Sequence, residues 1–308
     1  MAAMWSEGAP FWRDPLYVQY PPAVEQKLLP LCDALGLPTL ALHFHEVVLA
    51  FVLYQTIFVL SPTFFRGYKA YANLKPRTQL NFDIHVVSMV QCLLILALSF
   101  PAFWEPALQR DHIFAYSGYG GMVYAFAVGY FAWDSYVSIR YVKYFGVGFV
   151  VHGVGSLLVF TLSFKPFLMY YGPVFLLFEA STPFLNVHWF STHLPAGTVP
   201  ERLQLINGAL LMASFFGIRI VWGFYSVARL ALDLWAVRER LAPVAPLAVL
   251  GSNLALDCLN VYWFSKMVAI VKGRVGKKPV AVVDAPVAVA AAVAAAPDIL
   301  DDTKGKAE

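Results

Sequence analysis

The chain has 308 residues, of which 59% are hydrophobic and 13% charged. Soluble domains carry roughly 25% charged residues, and the mean hydropathy is +0.63, so the composition argues against a soluble globular protein and for a membrane one. The formal net charge of +3, with lysines and arginines scattered at the ends of apolar runs, gives no footprint for nucleic acid and fits the flanks of membrane spans.

In chain order, MAAMWSEGAPFWRDP has no basic region leading into an apolar one, so no leader peptide is expected to be cleaved. Seven runs of bilayer length follow, at about 40–60, 83–104, 119–140, 145–163, 167–189, 205–231 and 247–271. The prolines and charges collect in the gaps between them. The fourth and fifth runs are joined through Lys165 and Pro166, which predicts a tight helical hairpin. No gap is long enough for a soluble domain. The reading is an all-α membrane protein with three parts: a lumenal segment over 1–39, one transmembrane domain over 40–272, and a disordered low-complexity tail over 273–308.

Orientation follows from basic residues in the loops. The gaps after runs one, three and five, with residues 272–278 after run seven, hold eleven lysines and arginines, against seven on the other side. This predicts a lumenal N-terminus and a cytosolic C-terminus. The chain ends KGKAE. Lys304 and Lys306 match a dilysine address read by a retrieval coat, which places the protein in the endoplasmic reticulum membrane. Cys32, Cys92 and Cys258 share no metal-ligand spacing and give no disulfide framework. No metal cluster, other nucleophile constellation or phosphate loop is legible.

Charges in an apolar run are expensive unless they face a bundle interior or a wet cavity. The ionisable residues in the runs are His85, Asp134, His152, Glu179, His188, Arg219 and Asp257. Helical spacing sorts the polar groups into stripes. Glu179, Thr182 and Asn186 make one, which Pro183 is expected to bend. Asn253, Asp257 and Asn260 make a second, Tyr130, Asp134 and Ser138 a third, and His152 with Ser156 a short fourth. Each stripe alone is as readily interhelical glue as a site. Together they predict a shared polar interior. Arg219 is the only arginine deep in a run, with Glu179, Asp257 and Asp134 as its candidate partners; three acids against one arginine predict that at least one acid is protonated. Ala209, Ala213 and Gly217 offer a close-packing helix face.

The blocks NFDIHVVSMVQ (81–91), GYFAWDSYV (129–137), VHGVGS (151–156), FEASTPFLNVHWF (178–190), INGALLMASFFGIRI (206–220) and LNVYWFSKM (259–267) resemble, in order, those of the TLC-domain family. The resemblance covers about 40–272 and is nearest to the plain TLC-domain branch, with ceramide synthases more distant. It implies a six-helix bundle around a central cavity for a lipid or acyl chain, with one flanking helix, and places Glu179 on the cavity side. Ceramide synthases use adjacent histidines, with an aspartate upstream, for acyl transfer. Asp134 resembles that aspartate and His152 one of the pair, but VHG stands here where those enzymes have two histidines. Three functions follow as alternatives: a lipid-handling protein of lipid (sphingolipid) homeostasis without a cofactor, an acyltransferase with acyl-CoA as donor and His152 as base or acyl acceptor, and a cargo receptor of the endoplasmic reticulum. The expected partner is a membrane lipid, and a homo-oligomer is compatible with all three.

Overall fold

A computed structural model describes residues 12–275, so the tail from 276 on, with Lys304 and Lys306, lies outside the described residues. Every regular element among the described residues is helical. The α-helices are α1 (Pro22–Ala34), α2 (Leu40–Phe65), α3 (Lys69–Ala72), α4 (Pro76–Ser99), α5 (Pro106–Arg110), α6 (Gly118–Arg140), α7 (Val142–Phe145), α8 (Val147–Thr161), α9 (Tyr171–Leu176), α10 (Thr182–His193), α11 (Glu201–Ser214), α12 (Gly223–Ala236) and α13 (Val244–Val275). Leu40–Phe65, Pro76–Trp104, Val147–Phe164, Glu201–Ala236 and Val244–Lys272 are each long and apolar enough to cross a membrane. The chain is an all-α membrane protein.

The two other predicted runs differ from the expectation, each for a physical reason. The run at 119–140 forms α6, which has 23 residues and so spans about 34 Å at 1.5 Å per residue. Its glycines and tyrosines lower its hydropathy, but it is buried along most of its length and meets protein rather than lipid. The run at 167–189 is not one helix. It is divided into α9, a 3₁₀ turn at Leu177–Ser181, and α10. Pro183 does not bend a continuous helix; it occupies the first turn of α10, where a missing N–H costs little.

The core explains the order of packing. α6 lies at the centre, with its most extensive contacts to α2 and α8, around Ala50, Tyr54, Met122, Val123, Phe126, Phe131 and Trp133. Gly129 lets α2 and α6 approach closely, because a Cβ there would sit 2.5 Å from Ala50 Cβ and 2.6 Å from the Val47 carbonyl oxygen. A second group, α9 with α12 and α13, packs around Val174, Leu230 and Leu234. α4 touches both groups, meeting α2 and α6 on one side and α9 and α10 on the other. The expected small-residue face over residues 209–217 does not pack against the described residues: Ala209 and Ala213 are exposed, and a Cβ on Gly217 would meet nothing within 4 Å.

The loops sort to two ends. At one end Thr39 N–H donates to the Phe164 carbonyl at 3.1 Å, Leu168 N–H to the Ile113 carbonyl at 2.7 Å, and Arg240 lies 4.5 Å over the Phe114 ring. At the other, Arg77 donates to the Tyr144 carbonyl at 2.5 Å and Phe82 meets Phe65, Tyr71 and Phe190 edge to face. These contacts put the starts of α2 and α6 and the end of α8 at one end of the bundle, and the ends of α2 and α10 and the start of α4 at the other. With the loop-charge bias, the expected result for sealed vesicles with the cytosolic face outward is that added protease removes a C-terminal tag and spares an N-terminal one. Protection of both tags, or the reverse pattern, would exclude this orientation.

Candidate functional site

Arg219 lies in a π-helical stretch, Phe215–Trp222, that joins α11 to α12. π-type turns shift the register between helix faces and recur at functional sites. The side chain is buried. Its Nε donates to Ser181 Oγ at 2.8 Å, and its guanidinium stands 5.4 Å from the Phe215 ring centroid and 5.9 Å from that of Phe178. Ser181 comes from the 3₁₀ turn that breaks the 167–189 run, so that break is what presents the serine to Arg219. Among the described residues, the terminal guanidinium nitrogens make no hydrogen bond to protein.

Glu179 and His152 both interact electrostatically with Arg219, but neither forms a contact pair with it. The expected Arg219–Glu179 partnership is thus a longer-range one, with Ser181 taking the direct contact. Glu179 also interacts with Asp134, Tyr130 and Tyr54. Tyr54 in turn donates to Gln91 Oε1. Asp134 lies against α8 next to His152, for a Cβ on Gly153 would be 2.8 Å from Asp134 Oδ2. The His152 ring is in edge contact with Phe131, at 6.5 Å between centroids. Asp134, His152, Glu179 and Arg219 are therefore linked by proximity and electrostatics, with Arg219 buried and the other three half-buried.

The stripe of Tyr130, Asp134 and Ser138 lines a cavity of about 50 Å³ between α6, α4 and the start of α8, with Asn81, Ser88 and Phe149 among its walls. A water needs roughly 10–15 Å³ on this measure. The cavity takes a few waters or one small polar group, and it is too small to enclose an acyl chain.

The other expected residues go elsewhere. Thr182 is buried at the start of α10. Asn186 crosses to α4: its Oδ1 accepts from His85 Nδ1 at 2.8 Å and its Nδ2 donates to Ser88 Oγ at 3.2 Å. The His85 ring stacks on Trp189 at 4.2 Å, and its Nε2 is buried without a partner. Ser88 also lines the cavity, which ties this network to Asp134. His85 and Ser88 are absent from the sequence-based set of site residues. The signal for His85 was its place in an apolar run; nothing local paired it with Asn186. Asn253, Asp257 and Asn260 are buried on α13. Asp257 Oδ1 and the Phe178 ring both converge on Gly223 of α12, 3.1 and 3.3 Å from where a Cβ would stand. No hydrogen bond joins Asp257 to Arg219 among the described residues.

A family model for the TLC domain matches residues 81–269. The chain belongs to the TLC-domain family. Its TLC domain holds all of Asp134, His152, Glu179, Arg219 and Asp257 and leaves out α1 and α2. An uncharacterised TLC domain-containing protein of Schizosaccharomyces pombe is 40% identical, covering 82% of this chain and 87% of the relative. Topoisomerase I damage affected protein 4 of Saccharomyces cerevisiae is 34% identical, with 79% and 89% covered. Human TLC domain-containing protein 4 is 29% identical over 63% of this chain and 75% of its own length. No solved structure matches.

Proposed function

We propose that this TLC-domain protein is a multi-pass protein of the endoplasmic reticulum membrane that binds the polar end of a membrane lipid in its helix bundle and contributes to lipid homeostasis. The observation that carries the reading is Arg219. A guanidinium has five N–H donors in a rigid fork that suits carboxylate and phosphate. Here one nitrogen is used by Ser181 and the terminal pair has no protein acceptor among the described residues. An anionic headgroup or an acyl carbonyl satisfies those donors, while the tails stay on the apolar outer faces of the helices. The small cavity beside Asp134 fits this division, since it admits polar atoms and not a chain. The retrieval tail, with Lys304 and Lys306 read by a coat on the cytosolic side, belongs to the same proposal.

A second reading is acyl transfer, with acyl-CoA as donor, His152 as the central base and Asp134 beside it. The approach of Asp134 to the backbone at Gly153 favours it. The two readings part on one variant. In cells that lack the protein, the wild-type chain is expected to restore the lipid profile, and His152→Ala to restore most of it. Loss of all restoration by a folded His152→Ala protein would favour catalysis. A lipid profile unchanged by deletion of the protein would contradict both.

A further inference from the structure

Away from the interior described above, a buried cluster sits at the end of the bundle that carries the N-terminal segment. His43 Nδ1, near the start of α2, is 2.6 Å from Glu46 Oε2 and 3.4 Å from Asp14 Oδ2. One ligand-type atom from each of the three residues falls within 4.8 Å of the others. Glu46 is fully buried; its Oε1 and the buried Oδ2 of Asp14 have no donor from elsewhere in the described residues, and the two carboxyl groups lie close enough to share a proton with each other. The far side of the imidazole is fixed, with Nε2 hydrogen-bonded to the Tyr116 hydroxyl at 2.5 Å. The ring stacks on Phe164 at 6.0 Å, and a Cβ on Gly121 would run into it.

The convergence of two acids on one imidazole is what a cation would resolve. Two carboxylates and one imidazole converge out of water. The neighbouring His45 is engaged elsewhere: its Nε2 is 2.8 Å from the Leu16 carbonyl oxygen and its Nδ1 2.8 Å from the Tyr20 hydroxyl, which also accepts the His45 backbone N–H. Buried charge without compensation is costly. A divalent cation balances two carboxylates. One imidazole nitrogen with two carboxylate oxygens is a borderline nitrogen and oxygen donor set that suits zinc-class ions, and the Tyr116 hydroxyl on the distal ring nitrogen fixes the ring's orientation, as an outer partner of a metal-bound histidine does.

We propose that Asp14, His43 and Glu46 form a site for a divalent cation of the zinc class, with Tyr116 orienting the imidazole. Two ligands about 2.0 Å from a tetrahedral ion stand roughly 3.3 Å apart. The His43–Asp14 separation of 3.4 Å already fits. The His43–Glu46 separation of 2.6 Å opens on loading, by a small turn of the glutamate. Asp14 is the only one of the three outside the helices, and a Cβ on Gly118 would be 2.9 Å from its backbone nitrogen. The ion therefore clips the N-terminal segment onto the start of α2, beside the start of α6.

The test uses the full chain purified in detergent, stripped with a chelator and titrated with zinc chloride. The expected result is one zinc per chain by elemental analysis, a rise in melting temperature on zinc addition, and slower proteolysis within residues 12–20. Glu46→Gln and Asp14→Asn, which keep shape, are expected to lose the zinc response. Tyr116→Phe is expected to weaken binding about 10–100-fold, and it keeps the idea testable where the first two variants fold poorly. Melting curves unchanged by zinc, with no metal retained, would overturn the proposal. Undiminished zinc binding by Glu46→Gln and Asp14→Asn would overturn it equally.

Discussion

Gly129→Val is expected to abolish most of the folded yield of the protein. The reason is the contact between α6 and α2. A side chain at residue 129 meets Ala50 Cβ at 2.5 Å, the Val47 carbonyl oxygen at 2.6 Å and the Phe51 nitrogen at 3.0 Å. Two of these are backbone atoms, so no rotamer change relieves the clash; the helices themselves must separate. Overpacking a tight core costs about 1–3 kcal/mol. Separating α2 from α6 also opens the cluster around Tyr54, Phe126 and Trp133, so the cost is expected at or above the top of that range. Gly155→Val is the control, because a Cβ there meets nothing within 4 Å. Fluorescence-detected size exclusion is expected to show a several-fold loss of the monodisperse peak for Gly129→Val and an unchanged peak for Gly155→Val. Equal peaks would mean that α2 does not lie along α6.

Arg219 carries the second large effect, and its variants separate stability from binding. Arg219→Ala removes a charge-assisted hydrogen bond to Ser181, worth about 1.5–3 kcal/mol, and the stacking against Phe178 and Phe215. It also leaves a void and an uncompensated Glu179 nearby. Some of that cost is offset, since the desolvated charge itself is gone. A net loss of about 2 kcal/mol is expected, seen as a lower melting temperature in detergent. Arg219→Met should behave differently. It fills the space between the two rings, and replacing a buried charge by an apolar residue of similar volume is often neutral. That variant is expected to fold well and to lose the bound lipid. Glu179→Gln is expected to be mild, because Glu179 makes no contact pair with Arg219. A melting point for Arg219→Ala equal to wild type would show that the arginine is not held as described.

Much of the bundle was legible in the sequence because hydropathy reads lipid exposure. Five of the seven runs became helices that meet the requirements of a membrane span. The same logic fails for α6, whose glycines and tyrosines serve helix contact and not lipid contact, so its central position could not be read from its composition. It fails again at 167–189, where the apolar run hides a change of helix type at Leu177–Ser181. The stripe of Tyr130, Asp134 and Ser138 was readable because one straight helix carries it, and all three line one cavity. The stripe of Glu179, Thr182 and Asn186 crosses the 3₁₀ turn, and its members part: Glu179 points toward Arg219 electrostatics, Asn186 to His85 on α4. Ser181 as the arginine's direct partner, and Asp14 beside His43, are long-range pairings with no periodicity to reveal them.

The central claim is that the free guanidinium donors of Arg219 hold the polar end of a lipid. Mass spectrometry of lipids that copurify with the wild-type protein and with Arg219→Met tests it most directly. One lipid class, close to one molecule per chain in the wild type and depleted at least tenfold in a folded Arg219→Met protein, is the predicted result. The same lipids at the same level in both preparations would contradict it.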